Sequence, residues 1–205
     1  NMRYFFLTIL FGNISATGQT NVKRLIGLSG ISHAGYLLLG VIASYTVPSA
    51  IYAVLFYLSL YLLSSFLVFA SIVYMENEDD SLMDTRNYQG LYSRNPLLGI
   101  ASLIGIASLA GVPPLGGFIA KVMLFLVAYQ AGLYSLLAVA IIGVIISIYY
   151  YFSWIRSIVF ISDEGKEALA KPLTLPSTQR FLLIFLMGVI LIAGLFPSLL
   201  NYFIQ

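Results

Sequence analysis

The sequence predicts an all-α, polytopic transmembrane helix bundle with one discontinuous helix. Three observations carry that expectation. Of the 205 residues, 60% are hydrophobic and only 9% are charged, whereas a soluble domain carries about a quarter charged residues. The apolar residues fall into runs of membrane-spanning length, and none shows the period-2 alternation of a barrel strand. One run, residues 97–130, is too long for a single span and is interrupted at its centre by prolines and glycines.

Taken in order, residues 2–16 (MRYFFLTILFGNISA) form a short or incomplete span. Residues 25–45 follow the basic pair Lys23 and Arg24 and end near Pro48. Residues 49–75 are a full span rich in Tyr, Leu and Ser. A polar loop, 76–95, carries Glu76, Glu78, Asp79, Asp80 and Asp84, and reads as a solvated linker with a short amphipathic piece around MDTRNYQGLY. The run 97–130 is broken at 111–114. Residues 133–161 span again and end around Trp154 and Arg156. After a charged loop, 162–178, residues 179–196 make the last span, and FPSLLNYFIQ closes at the membrane interface. The chain starts with Asn1 rather than Met, and is read as part of something longer.

Basic residues give the orientation. Lys23, Arg24, Arg86, Arg94, Arg156, Lys166, Lys171 and Arg180 all fall on one face when the spans are threaded, while loops 45–48 and 131–132 carry no charge. The charged face is therefore cytoplasmic, or its organellar equivalent. Arg3 falls on the other.

Composition excludes several chemistries. With no Cys there is no disulfide, thiol nucleophile or cysteine-bound cluster. A net charge of +2 gives no electrostatic case for nucleic acid. One histidine makes neither a haem pair nor a three-histidine zinc site. EDDSLMD lacks EF-hand spacing, GGFIAK lies within a span and is no phosphate loop, and the acids sit in loops, away from any serine–histidine pair.

The interrupted run holds the first candidate site. As one straight helix, residues 97–130 would extend ~50 Å, against a hydrocarbon core of ~30 Å. Pro113 and Pro114 remove two amide donors and push Val112 out of the α region, while Gly111, Gly116 and Gly117 add backbone freedom. Two half-helices are expected, roughly 97–110 and 114–130, joined by unwound backbone that must be buried in protein or line a wet cavity. Transporters place ion sites at such breaks. Lys121 lies about two turns into the second half. Its ammonium is expensive in lipid, so it should face the bundle interior and water. Unlike arginine, it takes up and releases a proton. The plainer alternative is a lysine that snorkels to the far interface.

The second candidate is His33, in NVKRLIGLSGISHAGYLLLG. Ser29, His33 and Tyr36 share one helix face, and Ser32 is adjacent. Gly27, Gly30, Gly35 and Gly40 permit close helix packing. Either a proton relay or a neutral histidine that hydrogen-bonds across helices fits these residues. Tyr57, Tyr61, Ser64, Ser65 and the YYYFSW run read chiefly as packing groups.

QTNVKRLIGLSGISHAGYLLLG, NYQGLYSRNPLLG and SLAGVPPLGGFIAKVMLF together resemble the antiporter-like membrane subunits of respiratory complex I, and most of all the subunit N branch of proton-translocating NADH:quinone oxidoreductase. The resemblance covers nearly all of the chain. It implies a subunit of fourteen helices in two inverted five-helix repeats, each with a broken helix, of which this chain is the C-terminal part from about the ninth helix onward. Lys121 matches the family's lysine on the second broken helix, on the proton exit side. His33 matches the polar position of the tenth helix, in a central hydrophilic axis. Gly30 stands where many relatives have another serine.

The implied function is coupling of electron transfer to proton pumping, as a subunit of a translocase, with Lys121 and His33 in proton transfer and Ser29, Ser32, Tyr36, Pro113 and Pro114 in support. No cofactor is implied on this chain; NADH, FMN, iron–sulfur clusters and quinone are implied elsewhere in the complex. The implied partners are other membrane-arm subunits and the bilayer, and the implied location is a bacterial inner membrane. Two alternatives remain open at this stage: a subunit of a multisubunit cation/proton antiporter, and a structural membrane subunit that seals a larger assembly.

Overall fold

The computed structural model describes residues 2–78, 84–160 and 175–196. Among these the helices are α1 (Met2–Thr17), α2 (Val22–Ser44), α3 (Ala50–Glu78), a 3-10 turn at Thr85–Tyr88, α4 (Leu91–Arg94), α5 (Pro96–Ala110), α6 (Gly116–Gln130), α7 (Tyr134–Val159) and α8 (Ser177–Leu195). Most of the charged loop 162–178, Asp79 and Asp80, and the closing segment beyond Phe196 lie outside the described residues. Stretches of α2, α3, α7 and α8 are long and apolar enough to cross a membrane. The half-helices α5 and α6, 15 residues each, are about 22 Å long, so neither crosses alone.

The bundle is apolar outside, as expected where lipid is the solvent, and its largely apolar interior encloses the few buried polar groups, Lys121 and His33 among them. On α3, Leu55, Leu58, Leu62, Phe66, Phe69 and Val73 recur every three or four residues and are exposed. The opposite stripe, Tyr57, Leu60, Ser64, Leu67 and Ser71, is buried. Glycines set the closest contacts. A Cβ on Gly35 would meet Ile9 of α1 at 2.5 Å, and one on Gly40 would meet Val54 and Leu124 at 2.5 and 2.6 Å. Gly27 differs from the expectation: it is exposed, with nothing within 4 Å of a Cβ.

Helix α2 starts at Val22, so Lys23 and Arg24 lie within its first turn. Asn21 is the cap, accepting from the Arg24 amide at 3.1 Å. The segment from Asp84 is not a plain solvated linker. Thr85 N donates to Thr20 O at 2.8 Å, and Asn21 bridges to Asp84, which ties this segment to the α1–α2 turn. Tyr88 and Leu91 are buried, Tyr88 edge-on to Trp154 at 5.6 Å. Burying those two apolar side chains is what folds the segment back onto the bundle.

Helices α3 and α7 pack against both α5 and α6, α2 packs against α6, α1 lies on α2 and α7, and α8 closes the side formed by α3, α5 and α6. The break between α5 and α6 is buried at Gly111 and from Leu115 to Gly117, while Pro113 and Pro114 at its centre are exposed, unlike the enclosed linker expected.

Candidate functional site

The break is built by the sequence around Gly111. This residue is left-handed, with φ 83°, a conformation that suits glycine. Gly111 N donates to Ser108 O at 3.0 Å and Val112 N to Ala107 O at 2.9 Å, the two bonds of a Schellman ending. Pro113 and Pro114 follow, joined by a cis peptide, and Leu115 N closes the turn onto Val112 O at 3.1 Å. Helix α6 then starts at Gly116.

An α-helix ends with four carbonyls that lack intrahelical donors. In α5 these are Ala107, Ser108, Leu109 and Ala110. The loop amides of Gly111 and Val112 take the first two. Lys121 takes the others: its Nζ donates to Leu109 O and to Ala110 O, each at 2.9 Å. The ammonium thus sits on the negative end of the α5 dipole. Lys121 is 3% exposed, so snorkelling is not what this side chain does here. It lies five residues into α6, and its stem reaches back to the break because helical side chains lean toward the N-terminus. The stem passes over Gly111, where a Cβ would come within 2.9 Å of its Cδ. The Tyr36 ring lies 5.4 Å from Nζ, a cation–π distance.

Across the break, Ser108 Oγ accepts from Gly117 N at 3.2 Å and from Ser64 Oγ at 2.7 Å. One hydroxyl therefore joins the end of α5, the start of α6 and the middle of α3. The backbones are so close that a Cβ on Gly117 would collide with the Ser108 carbonyl, and one on Gly194 of α8 with the Pro114 carbonyl.

His33 is 3% exposed and lies among tyrosines. Its Nδ1 is 2.7 Å from Tyr57 Oη and its Nε2 is 3.4 Å from Tyr151 Oη, and the ring stacks on Tyr61 at 4.7 Å. The donors around it assign the tautomer. Ser29 Oγ donates to Ile26 O at 3.0 Å, so Tyr151 must donate to Ser29 Oγ, at 2.9 Å. Tyr151 then offers only a lone pair to Nε2, so Nε2 carries the hydrogen and Tyr57 donates to Nδ1. The result is a chain in one direction, from Tyr57 through His33 and Tyr151 to Ser29 and the Ile26 carbonyl.

Lys121 and His33 line one small cavity with Tyr57, Tyr61, Ser64 and Ser108. Its volume is about 10 Å³, close to the least that houses a single water. Among the sequence-nominated residues, Lys121 and His33 meet at this cavity, Tyr36 touches both, and Ser29 joins through Tyr151. Ser32 does not: it is buried facing Gly12 of α1. Pro113 and Pro114 shape the break and offer no proton-transferring group.

Tyr57, Tyr61 and Ser64, expected chiefly as packing groups, recur at i, i+4 and i+7 on α3 and line the cavity. That spacing was the available signal. Tyr151 on α7 and Asn13 on α1, which accepts from Tyr150 at 3.2 Å, had none. Gly30 faces Tyr61, whose hydroxyl would lie 3.3 Å from a Cβ there, so a tyrosine occupies the space beside the missing serine.

Known proteins resemble this chain in sequence and in fold. Residues 2–147 match the family model described as NADH:quinone oxidoreductase/Mrp antiporter, TM. The chain is 56% identical over 153 residues to NADH-quinone oxidoreductase subunit N 1 of Opitutus terrae, covering 75% of this chain and 30% of that protein. It is 37% identical over 199 residues to subunit N 1 of Chloroherpeton thalassium, covering 97% and 40%. A chain of respiratory complex I from Thermus thermophilus with bound aureothin superposes with a TM-score of 0.76 at 32% identity, over 95% of this chain and 43% of that one. The chain thus spans less than half the length of these relatives.

Proposed function

Because the chain belongs to the NADH:quinone oxidoreductase/Mrp antiporter membrane family, we propose that it is the C-terminal part of a proton-translocating membrane-arm subunit of NADH:quinone oxidoreductase. In that role it acts within a translocase beside other membrane-arm subunits, in a bacterial inner membrane. NADH, FMN, iron–sulfur clusters and quinone belong to other subunits of the assembly, and this chain moves protons.

One observation carries the reading: the Lys121 amine, at the helix break, shares a water-sized cavity with His33. With its proton, Lys121 caps the last two carbonyls of α5. On losing that proton it keeps at most two donors and loses its charge–dipole attraction to the helix end. A proton arriving through His33 crosses to Lys121 by one water or by the Ser64–Ser108 hydroxyls. It leaves along α6, whose last residue, Gln130, lies at the uncharged face. An electrical change from electron transfer elsewhere acts on the charged amine and sets the timing. A lysine that only sealed the bundle would have no need of a histidine and four hydroxyls around a common cavity.

His33→Ala in the full-length subunit, within its assembled complex in proteoliposomes, tests the relay. The ratio of protons pumped to electrons transferred is expected to fall, by less than in Lys121→Ala, because a water can partly replace the imidazole. An unchanged ratio with normal assembly would leave His33 as packing and remove it from the path.

A further inference from the structure

Two surface cavities meet at Leu175 on the charged face of the bundle. One, of about 350 Å³, is lined by Arg94, Asn95, Pro96, Leu97, Leu175 and Arg180. It lies between the starts of α5 and α8, so two positive helix ends share it with two guanidinium groups. Helix α8 has no side-chain cap, which leaves its first amides open to an acceptor. Among the described residues, Arg94 Nη1 contacts only the soft sulfur of Met75, at 4.0 Å, and its Nε is buried without a hydrogen-bond partner.

The second cavity, of about 300 Å³, is an apolar groove between α3 and α8. Phe66, Phe69, Val73, Leu175, Leu182 and Leu183 are among its lining. Phe66, Val73 and Leu182 are more than half exposed. From Val73 to Phe66 the groove descends about 10 Å along α3, away from the charged face. A cationic pocket at the interface that opens into an apolar groove running into the bilayer is amphipathic in the same sense as a phospholipid.

We propose that Arg94 and Arg180 hold the phosphate of an anionic phospholipid whose acyl chain lies in the groove between α3 and α8. The arginine fork suits a phosphodiester, and basic pockets between helices on the cytoplasmic side favour anionic headgroups. Free phosphate would match only the polar half. The continuous groove is what selects a lipid.

The test uses the full-length subunit in its membrane assembly, in phosphatidylcholine vesicles containing a minority of photoreactive phosphatidylglycerol with the diazirine on the acyl chain. Labelling is expected on the peptides holding Phe66–Tyr74 and Gln179–Leu183. It should exceed that from the matching phosphatidylcholine probe and fall about fivefold for each arginine changed to glutamine. Arg180 is exposed, so Arg180→Gln alone keeps the test alive should Arg94→Gln fail to assemble. Leu182→Trp should block labelling of the groove without touching the arginines. Equal labelling by both probes, labelling unchanged in Arg180→Gln, or loss of the phosphatidylglycerol preference on adding inorganic phosphate would overturn the proposal. So would the absence of label from both peptides, as when a neighbouring protein segment fills the groove.

Discussion

Lys121→Ala in the full-length subunit should slow proton transfer through this site by about a hundredfold or more, the scale of a lost acid–base group. It should also destabilise the subunit. The two effects have different causes and can be separated. Removing the amine orphans the buried carbonyls of Leu109 and Ala110, at about 1–3 kcal/mol for each unsatisfied group. Lys121→Arg distinguishes the roles. A guanidinium has donors enough for both carbonyls and keeps the charge, but it does not give up its proton. The arginine variant is therefore expected to assemble better than the alanine variant yet to pump as poorly. Assembly is read on native gels, and pumping from the proton-to-electron ratio in proteoliposomes. A wild-type ratio in Lys121→Ala would remove the lysine from the path. Wild-type pumping in Lys121→Arg would reduce it to a helix cap.

Gly117→Ala is expected to be nearly as damaging, though it adds only a methyl group. The added carbon would collide with the Ser108 carbonyl. Both sides of that contact are backbone, so no flexible side chain can move aside. Overpacking of this kind costs about 1–3 kcal/mol. Here it also pushes apart the Gly117 amide and the Ser108 hydroxyl, which bond across the break as Lys121 does. The expected outcome is less assembled subunit and a lower Tm, with pumping reduced because Lys121 no longer reaches the end of α5. Gly27→Ala is the control. That glycine is exposed with open space around it, and alanine in a helix is favoured over glycine by up to about 1 kcal/mol. It should assemble as well as wild type or better. Equal behaviour of the two variants would mean that α5 and α6 do not meet as described.

The two glycines also mark how far the sequence could be read. Both sit in small-residue motifs on apolar helices, and nothing local separates them. Their different roles come from what lies opposite: Ser108 nine residues earlier in one case, nothing in the other. The same holds for the tyrosines. Tyr57 and Tyr61 carry a helical spacing that could have been read as one face. Tyr151 sits in a run of three tyrosines, Tyr149, Tyr150 and Tyr151, of which the first is 70% exposed and the other two are buried. Only the rotation of α7 against α2 decides which hydroxyl meets His33.

By itself the sequence determined the helical class, the membrane as solvent and the site of the break. Each depends on properties that act locally: transfer free energy along a run, the missing amides of Pro113 and Pro114, the left-handed freedom of Gly111. The tertiary structure alone decided that the Lys121 amine closes the last two carbonyls of α5, that Ser108 spans the break, and that Ser32 faces away from His33. These are contacts between groups on different helices or across the break, and their existence turns on helix rotation and separation to within an ångström. Hydrophobic pattern does not fix geometry that finely, because many packings bury the same apolar stripe.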